Sequence, residues 1–349
     1  MAESFFGRFL TNDIGIDLGT TTVLVYVKGR GIVLEEPSVA LVEKGTDRII
    51  KVGYAARKMM GKTPDGMEVV RPLRDGVINK YKVTLQMVEH FIRRACENTL
   101  VKPRVMVCIP SGVTEVEECA VLDAATQAGA RQTFLIEEPM AAAIGAGLNI
   151  DEPRGKMVVD IGGGTTDVAV ISLGEIVVSD SIKIAGDKFD EAIAAYVRKK
   201  YEVIIGERQA EEIKLKIGAV YEHKDVKKTQ VTGRCIKTGL PKTVAISSKE
   251  MLGALAEPIT AIIDTVCSVI ARTPPELVGD ILKTGIVMTG GGSLLYGFDK
   301  LIGDITGIPT RVAKEAQRCV AIGTGMRLED LSTMQEGSLN LSLEREKRL

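Results

Sequence analysis

One pattern, two short strands joined by a glycine turn, occurs twice in this chain of 349 residues. The first copy, residues 14–27, reads IGIDLGTTTVLVYV, and the second, residues 157–171, reads MVVDIGGGTTDVAVI. Each copy has an apolar run, an Asp-x-Gly step, a turn of small or hydroxyl-bearing residues and a second β-branched run, which together predict a β-hairpin. The length of the chain suits two domains or one large bilobed one.

The turn of each hairpin has the chemistry of a phosphate site. Glycines let backbone N–H groups approach an anion closely, and threonine hydroxyls add further donors. One such hairpin alone is most often an ordinary turn, but two copies predict a pair that holds one polyphosphate from opposite sides. The residues expected to contact phosphate are Gly19, Thr20, Thr21 and Thr22 in the first turn and Gly162, Gly163 and Gly164 in the second.

An aspartate ends the incoming strand of each hairpin. Asp17 and Asp160 occupy this position, where a carboxylate can hold a hydrated Mg²⁺ beside the phosphates. The alternative is that each aspartate caps its own turn. Because both copies have the aspartate, we favour the metal role.

A third glycine turn follows a run of apolar residues at 286–289 that predicts a buried strand. Gly290, Gly291 and Gly292 form the turn, and Ser293 is expected to begin a helical stretch that continues through residue 301. A helix N-terminus offers free N–H groups and the positive end of a dipole, so this arrangement suits an anion. Alone, a plain strand-to-helix loop would be the better interpretation.

The rest of the chain alternates strand and helix patterns, which indicates α/β layers. Buried strands are predicted at 105–110 and 134–136, and helices at 115–129, 140–147, 187–201 and 207–217. Ser247 and Glu250 have the spacing of a capping box, which predicts the start of one long helix toward residue 272.

Composition and charge exclude several other classes. Lys and Arg number 45 against 46 Asp and Glu, there is no Trp and aromatic residues make up 4%, which argues against a nucleic-acid binder. Six scattered cysteines without a CxxC pair indicate reduced thiols, and two distant histidines do not suggest a metal site. No apolar stretch is long enough to span a bilayer and the N-terminus lacks a signal-peptide pattern, so we expect a cytoplasmic protein.

Several segments together resemble bacterial actins of the MreB type. They are residues 12–20 (NDIGIDLGT), 31–39 (GIVLEEPSV), 71–78 (RPLRDGVI), 137–147 (EEPMAAAIGAG) and 274–277 (PPEL). The resemblance runs from about Ser4 to Leu328. The order of the two hairpins, the Glu-Glu-Pro helix start and the Thr-Gly-Gly-Gly turn is also that of the wider actin superfamily, which includes chaperone ATPase domains and sugar kinases.

The resemblance implies an actin-like bilobed α/β fold, with two related mixed-sheet domains around a nucleotide cleft and a small inserted subdomain in each. Lobe I would be residues 1–145 plus 313–349, with an insertion near 32–75. Lobe II would be 146–312, with an insertion near 182–245. The cofactors implied are ATP, with GTP left open, and Mg²⁺.

The resemblance also implies residue roles in ATP hydrolysis. Glu138 and Thr165 would position the attacking water, with Glu137 as the lower-ranked neighbour of Glu138. Glu211 and Lys214 would approach the adenosine moiety. From the residues alone, these last two are better explained as an exposed ion pair within one helix.

The family further implies homopolymer filaments at the inner face of the cell membrane, which organise cell shape and cell-wall synthesis with membrane-bound morphogenetic proteins. Phe5, Phe6, Phe9 and Leu10 fall on one side of a possible interfacial helix, for which a disordered or core-packed tail is the alternative. A second membrane contact is expected near Leu100 and Val101. The basic residues between 224 and 242 are read as the solvated face of a hairpin, not as a nucleic-acid patch.

Three other functions were weighed. A chaperone ATPase would need a peptide-binding domain after this module, and only a charged tail at 332–349, expected to be loose, follows it. A sugar kinase would need a sugar site with a catalytic base, for which no motif was found. A nucleotide-binding filament with little hydrolysis remains the alternative to an ATPase.

Overall fold

The structure is a computed structural model that describes residues 13–96, 101–222 and 224–330. The chain forms two compact units. The first unit is Met1–Ile150 with Gln317–Leu349, and the second is Asp151–Ala316. The sequence predicted the divisions between the units after residues 145 and 312. The structure has them a few residues later, after Ile150 and Ala316.

The strands of the first unit are β1 (Ile14–Leu18), β2 (Thr22–Val27), β3 (Gly31–Pro37), β4 (Ala40–Glu43), β5 (Ile49–Val52), β6 (Met67–Val70), β7 (Leu73–Arg74), β8 (Val77–Ile78), β9 (Arg104–Ile109) and β10 (Gln132–Glu137). Those of the second unit are β11 (Lys156–Ile161), β12 (Thr166–Ser172), β13 (Glu175–Ile182), β14 (Val203–Ile204), β15 (Lys228–Cys235), β16 (Pro241–Ser247), β17 (Ile286–Thr289) and β18 (Thr310–Val312).

The α-helices in the described parts of the chain are α1 (Tyr54–Arg57), α2 (Tyr81–Ala95), α3 (Glu115–Gln127), α4 (Glu138–Gly145), α5 (Gly186–Tyr201), α6 (Glu207–Ile217), α7 (Ser248–Ala254), α8 (Ala256–Arg272), α9 (Pro275–Thr284), α10 (Phe298–Thr306) and α11 (Cys319–Asp330). Helix α11 belongs to the first unit, although it lies at the other end of the sequence.

The two units have the same sheet topology. The large sheet of the first unit has the order β10-β9-β1-β2-β3, and that of the second has the order β13-β12-β11-β17-β18. In each sheet the first three strands of the unit form an antiparallel meander, and two later strands add in parallel on the other side. Both predicted hairpins are confirmed, and the repeat in the sequence is a repeat of one fold.

The central strands are buried on both faces, which explains their nearly continuous apolar runs. In the first unit, Ile16 and Val25 have no exposed surface and pack with Phe91 of α2. In the second unit, Val159 and Phe189 belong to a core that extends to the helices α8 and α10. Each unit therefore has its own hydrophobic core.

Each unit also has a small sheet of its own. Its strand order is β5-β4-β6 in the first unit and β14-β15-β16 in the second. Strands β15 and β16 pair antiparallel, and Lys228 and Lys242 on them are exposed, which confirms the hairpin predicted for the basic segment.

The single long helix predicted from Ser247 is wrong, because the structure has two helices, α7 and α8, bent by 63° relative to each other. The cause is Pro258 in the first turn of α8, which has no N–H to donate to the carbonyl of Ala254 and whose ring would collide with that carbonyl in a continuous helix. Only the capping box is confirmed: Glu250 Oε2 accepts hydrogen bonds from the backbone N and the Oγ of Ser247, at 2.8 and 2.7 Å.

Glu250 also joins the end of α5 to α7. Its Oε1 accepts hydrogen bonds from Tyr201 Oη at 2.6 Å, from Lys200 Nζ at 2.7 Å and from Tyr196 Oη at 3.3 Å. Partial burial raises the pKa of Glu250, but the hydrogen bonds from Lys200, Tyr201 and Ser247 outweigh burial and lower it to about 2. The charged form is therefore the one that the fold stabilises.

We expect Glu250→Gln to lower the free energy of unfolding at pH 7 by about 2 kcal/mol, because Gln removes the charge that strengthens these hydrogen bonds. A carboxyl with a depressed pKa stabilises the fold above its unfolded-state pKa and stops doing so as the pH falls through its folded-state pKa. The difference between wild type and variant, measured by urea unfolding, should shrink from pH 5 toward about 2. Glu257→Gln, at an exposed position on α8, is the control; a difference that does not depend on pH would contradict this role.

Within the described residues, no single helix is long and apolar enough to span a membrane. Helices α7 and α8 have that length and apolar character only when they are counted together, as a pair bent by 63°. Two predictions concern residues that the structure does not describe. Membrane contact was predicted for Phe5 to Leu10 and near Leu100, and a loose tail was predicted for 332–349.

Candidate functional site

The turn of the first hairpin is tight, and hydrogen bonds from other segments of the same unit hold it in place. A Cβ on Gly19 would lie 2.6 Å from the carbonyl oxygen of Thr22, so only glycine permits this turn. Thr20 is buried, and its Oγ1 accepts a hydrogen bond from the backbone N of Gly76 at 3.3 Å. The Thr20 hydroxyl still carries its own hydrogen, which it can donate to a ligand.

Thr21 has a structural role on the other side of the same turn. Its carbonyl accepts a hydrogen bond from the backbone N of Ser38 at 2.8 Å, just after β3. The turn is thus fixed by segments that the sequence did not connect with it. A preformed turn loses little conformational freedom when it binds an anion.

Asp17 lies near the end of β1, beside the thiol of a cysteine. Cys108 Sγ on the neighbouring parallel strand β9 donates a hydrogen bond to Asp17 Oδ1, at 3.4 Å. Burial raises the pKa of Asp17 to about 6, although the hydrogen bonds from Cys108 and from the backbone of Gly19 lower it. The charged carboxylate is therefore incompletely stabilised by its own unit, and a nearby cation would favour it. The sequence alone indicates only a reduced thiol at Cys108, because the pairing of β1 with β9 is not visible in it.

The two adjacent glutamates at the start of α4 have different surroundings. Glu137 Oε2 accepts a hydrogen bond from Ser111 Oγ at 2.6 Å, which holds that side chain against the loop after β9. Glu138 lines a cavity, together with Cys108 and Gly76, with about 20 Å³ that the centre of a water molecule can occupy. That volume suits one water molecule. The two glutamates therefore have different surroundings, a hydrogen bond from Ser111 for Glu137 and a small cavity for Glu138.

Helix α4 is held close to the C-terminal helix α11 by glycines on both sides. A Cβ on Gly145 would lie 1.8 Å from the carbonyl oxygen of Cys319, and a Cβ on Gly323 would lie 1.8 Å from that of Ala141. Both positions therefore require glycine. The helix that begins at Glu138 is placed by backbone contact with α11.

Glu117 lines the same cavity as Glu138. It completes a capping box at the start of α3, because Glu117 Oε2 accepts a hydrogen bond from the backbone N of Thr114 at 2.7 Å. The helix predicted at 115–129 is confirmed, and its first turn carries three acidic side chains, as the helix dipole favours.

In the second unit, Asp160 lies at the end of β11, next to Thr289 on the parallel strand β17. Thr289 Oγ1 donates a hydrogen bond to Asp160 Oδ1 at 2.6 Å, and both residues are buried. The turn after β11 is closed by a hydrogen bond from the backbone N of Gly162 to the carbonyl of Thr165, at 2.9 Å. Thr165, the second candidate for positioning water, is therefore part of the turn itself.

The second turn also contacts the start of α5. The backbone N of Gly186 donates to the carbonyl of Gly162 at 3.2 Å, and that of Asp187 donates to the carbonyl of Gly163 at 2.8 Å. Lys214 of α6 reaches the same place, since its Nζ donates to the carbonyl of Gly186 at 2.8 Å.

The alternative of an exposed ion pair at Glu211 and Lys214 is wrong for Lys214. Its side chain is only 15% exposed, and its Nζ lies 2.8 Å from Asp190 Oδ2 on α5. Glu211 is near enough to Asp190 to raise its pKa. Both candidates thus lie at the α5–α6 contact.

The third glycine turn packs against the end of β11. A Cβ on Gly290, whose φ is +78°, would lie 2.2 Å from the carbonyl oxygen of Ile161, and a Cβ on Gly292 would lie 2.4 Å from Ile161 Cγ2. Gly291 between them is exposed. The third glycine turn therefore lies next to the second hairpin. Close packing against Ile161 is enough to explain why positions 290 and 292 are glycine.

The helix expected to begin at Ser293 does not begin there. Residues Gly292–Leu294 form a single 3₁₀ turn, and α10 begins at Phe298, after Gly297 with a left-handed φ of +77°. Ser293 Oγ donates to the carbonyl of Gly290 at 2.7 Å and so stabilises the turn. The predicted helix start at Ser293 is wrong, and a single turn of three residues does not supply the helix dipole that the prediction relied on.

In both units the candidate aspartates and glycine turns lie at the carboxyl ends of parallel strands, where α/β sheets bind ligands, whereas Glu211 and Lys214 lie on α6. In the part of the chain that the structure describes, no group of three or more His, Cys, Asp or Glu side chains could hold a metal ion. The donors present are single carboxylates, Asp17 and Asp160. They fit Mg²⁺, which usually takes one or two carboxylates and completes its shell with water and phosphate oxygens.

Comparison with known proteins identifies the family. The model of the MreB/Mbl protein family matches residues 11–336. The chain belongs to the MreB/Mbl family. It is 49% identical to the cell shape-determining protein MreB of Escherichia coli (strain K12) over 335 residues, 94% of this chain and 96% of that protein. It is 46% identical to the cell shape-determining protein Mbl of Bacillus subtilis (strain 168), over 94% of this chain and 99% of that protein.

Solved structures of the MreB/Mbl family superpose closely on this chain. Crystal structures of Spiroplasma citri MreB5 bound to ADP and to AMPPNP have TM-scores of 0.88, at 40% and 39% identity, and cover 93% and 97% of this chain and 99% of their own chains. A MamK double helical filament, at 21% identity and a TM-score of 0.78 over 91% of this chain and 99% of its own, shows the fold alone. The actin-like α/β fold expected from the sequence is confirmed.

Proposed function

We propose that this MreB/Mbl chain binds and slowly hydrolyses ATP, with Mg²⁺, and polymerises into filaments that organise cell shape and cell-wall synthesis at the inner face of the cell membrane. The observation that carries the proposal is the junction of the Gly162–Gly163 turn, the first turn of α5 and the Lys214 ammonium in one unit. The MreB5 structures with ADP and AMPPNP support an adenine nucleotide.

The phosphates would be held by the backbone and hydroxyl donors of both hairpin turns, at Gly19–Thr22 and Gly162–Gly164. Asp17 and Asp160 would hold the hydrated Mg²⁺, each through a carboxylate that is oriented by a hydrogen bond, from the Cys108 thiol for Asp17 and from the Thr289 hydroxyl for Asp160. When bound, the ion supplies charge neutralisation of the phosphates. Glu211 and Lys214 would approach the adenosine moiety, and Gly290–Ser293 would border the site.

Glu138 would orient the water that attacks the terminal phosphate. Glu138 lines the cavity with room for one water molecule, and it lies in the first turn of α4, where the helix dipole favours an acidic side chain. Thr165 would assist from the second turn. Phosphoryl transfer needs mostly positioning and electrostatic stabilisation, so one oriented carboxylate accounts for slow hydrolysis.

The filament is proposed from the names of its relatives, which are cell shape-determining proteins, and from the MamK filament of the same fold. The N-terminal Phe5, Phe6, Phe9 and Leu10 would contact the membrane weakly in one copy and strongly in a filament, through avidity. Membrane-bound morphogenetic and cell-wall synthesis proteins would be the partners, with no role for nucleic acid. A filament that binds ATP but barely hydrolyses it remains the second candidate.

We expect the full chain to bind ATP in a Mg²⁺-dependent manner in equilibrium dialysis, and to sediment with ATP, more so with anionic lipid vesicles. Asp160→Asn should weaken the Mg²⁺-dependent part of the affinity about tenfold, because it removes one charged ligand. Asp264→Asn, which removes an exposed carboxylate on α8, is the matched control. ATP binding that does not depend on Mg²⁺, or no binding at all, would refute the proposal, and polymer without phosphate release would favour the second candidate.

A further inference from the structure

Asp190 is a buried carboxylate that the proposed function does not use. It lies on α5, one turn after Gly186, and is 5% exposed. Its Oδ2 accepts a hydrogen bond from Lys214 Nζ at 2.8 Å, and its Oδ1 is buried with no hydrogen-bond partner among the described residues.

A half-satisfied buried carboxylate contributes little to stability. Burial raises the pKa of Asp190 to about 6, although Lys214 lowers it, and the nearby Glu211 and Asp187 raise it further. Replacing such a pair with apolar side chains of similar volume is often neutral or stabilising, because desolvation offsets the attraction between the charges. Packing therefore does not explain an aspartate here, whereas the placement of the Lys214 charge does.

The Lys214 ammonium lies beside the second hairpin turn. The position that a Cβ on Gly186 would take lies close to all three groups. It is 3.4 Å from Lys214 Nζ, 3.2 Å from the carbonyl oxygen of Gly162 and 3.5 Å from Gly163 Cα. An ammonium has three N–H donors, and Asp190 and the Gly186 carbonyl take two of them. The third remains for a ligand at the turn.

Without Asp190, Lys214 would have another acceptor on its own helix. Glu211 is three residues earlier on α6, at the spacing that lets side chains meet on one face. Asp190 and the Gly186 carbonyl both belong to α5 and together hold the ammonium at its first turn, and Asp190 is the charged one of the two.

We propose that Asp190 is a positioning residue for nucleotide binding, which holds the Lys214 ammonium at the first turn of α5 beside Gly162 and Gly163. This inference rests on the proposed function, since the ligand at the turn is the nucleotide. It predicts that Asp190 acts on affinity only through Lys214.

The test is a double-mutant cycle on Mg²⁺–ATP and Mg²⁺–ADP affinity of the full chain, measured by equilibrium dialysis. Asp190→Asn, which keeps the shape of the side chain, and Lys214→Met should each raise Kd about tenfold, the effect of losing one hydrogen bond from a charged donor. The double variant should bind no more weakly than Lys214→Met alone. Glu191→Gln, which removes an exposed carboxylate paired with Lys188 on the same helix, is the control and should leave Kd unchanged.

A further variant separates position from charge. Lys214→Arg keeps the positive charge but replaces the compact ammonium with a planar guanidinium that does not fit the same two acceptors. Its Kd should rise nearly as much as that of Lys214→Met, and this result does not require that Asp190→Asn folds.

Several results would overturn the inference. They are an Asp190→Asn protein that binds within twofold of wild type, effects in the double variant that multiply, an Asp190→Asn protein with a lower Tm but unchanged Kd, and wild-type affinity in Lys214→Arg. Failure of the wild type itself to bind ATP would refute the proposed function instead, so the two failures are distinguishable.

Discussion

Phosphate release by a Glu138→Gln variant is expected to fall by about 100-fold in the presence of Mg²⁺–ATP, while the Kd for ATP changes less than threefold. Gln has nearly the size of Glu and can still line the cavity, but it cannot accept a proton from water or polarise it as a carboxylate does. Single-turnover phosphate release on preformed polymer measures the chemical step directly. Sedimentation in parallel shows whether the variant still polymerises.

Glu137→Gln is the matched control, because it makes the same chemical change one residue earlier, where the carboxylate accepts a hydrogen bond from Ser111. It should retain phosphate release within about threefold, because the amide oxygen of the new side chain can still accept the hydrogen bond from Ser111 and only the charge of the side chain is lost. A larger loss in Glu137→Gln than in Glu138→Gln would exchange their roles. If both variants lose only a small and equal part of their phosphate release, the result would support a filament that binds ATP but barely hydrolyses it.

Replacing Gly323 with Ala is expected to destabilise the first unit by at least about 3 kcal/mol, or to prevent folding. The added Cβ would lie 1.8 Å from the carbonyl oxygen of Ala141, which is backbone and cannot rotate away as a side chain can. The intrinsic preference of helices for Ala over Gly, about 1 kcal/mol, acts in the opposite direction and is too small to compensate. Urea unfolding and the Tm measure the loss.

The control is Gly279→Ala in α9, where no atom lies within 4 Å of the added Cβ. There the helix preference acts alone, so stability should rise by up to about 1 kcal/mol. If Gly323→Ala folds, separation of α4 from α11 should also move Glu138 and lower phosphate release. Wild-type stability in Gly323→Ala would show that the two helices are not held in contact.

The sequence by itself determined most of the elements and their repeat. Both hairpins, their glycine turns and the terminal aspartates Asp17 and Asp160 follow from local patterns, since alternating apolar runs and turn residues act over a few positions. The capping box at Ser247 is also local, because its hydrogen bonds join residues three apart. Family membership, too, follows from segments that are continuous in the chain.

Tertiary structure alone decided which of these residues meet. Cys108 reaches Asp17 because β9 pairs with β1, and Gly323 touches Ala141 because α11 returns to the first unit from the far end of the chain. Lys214 is bound to Asp190, 24 positions earlier, although its neighbour Glu211 is equally plausible in the sequence. Long-range contacts of this kind depend on loop closure and packing of the whole unit, which no local pattern encodes.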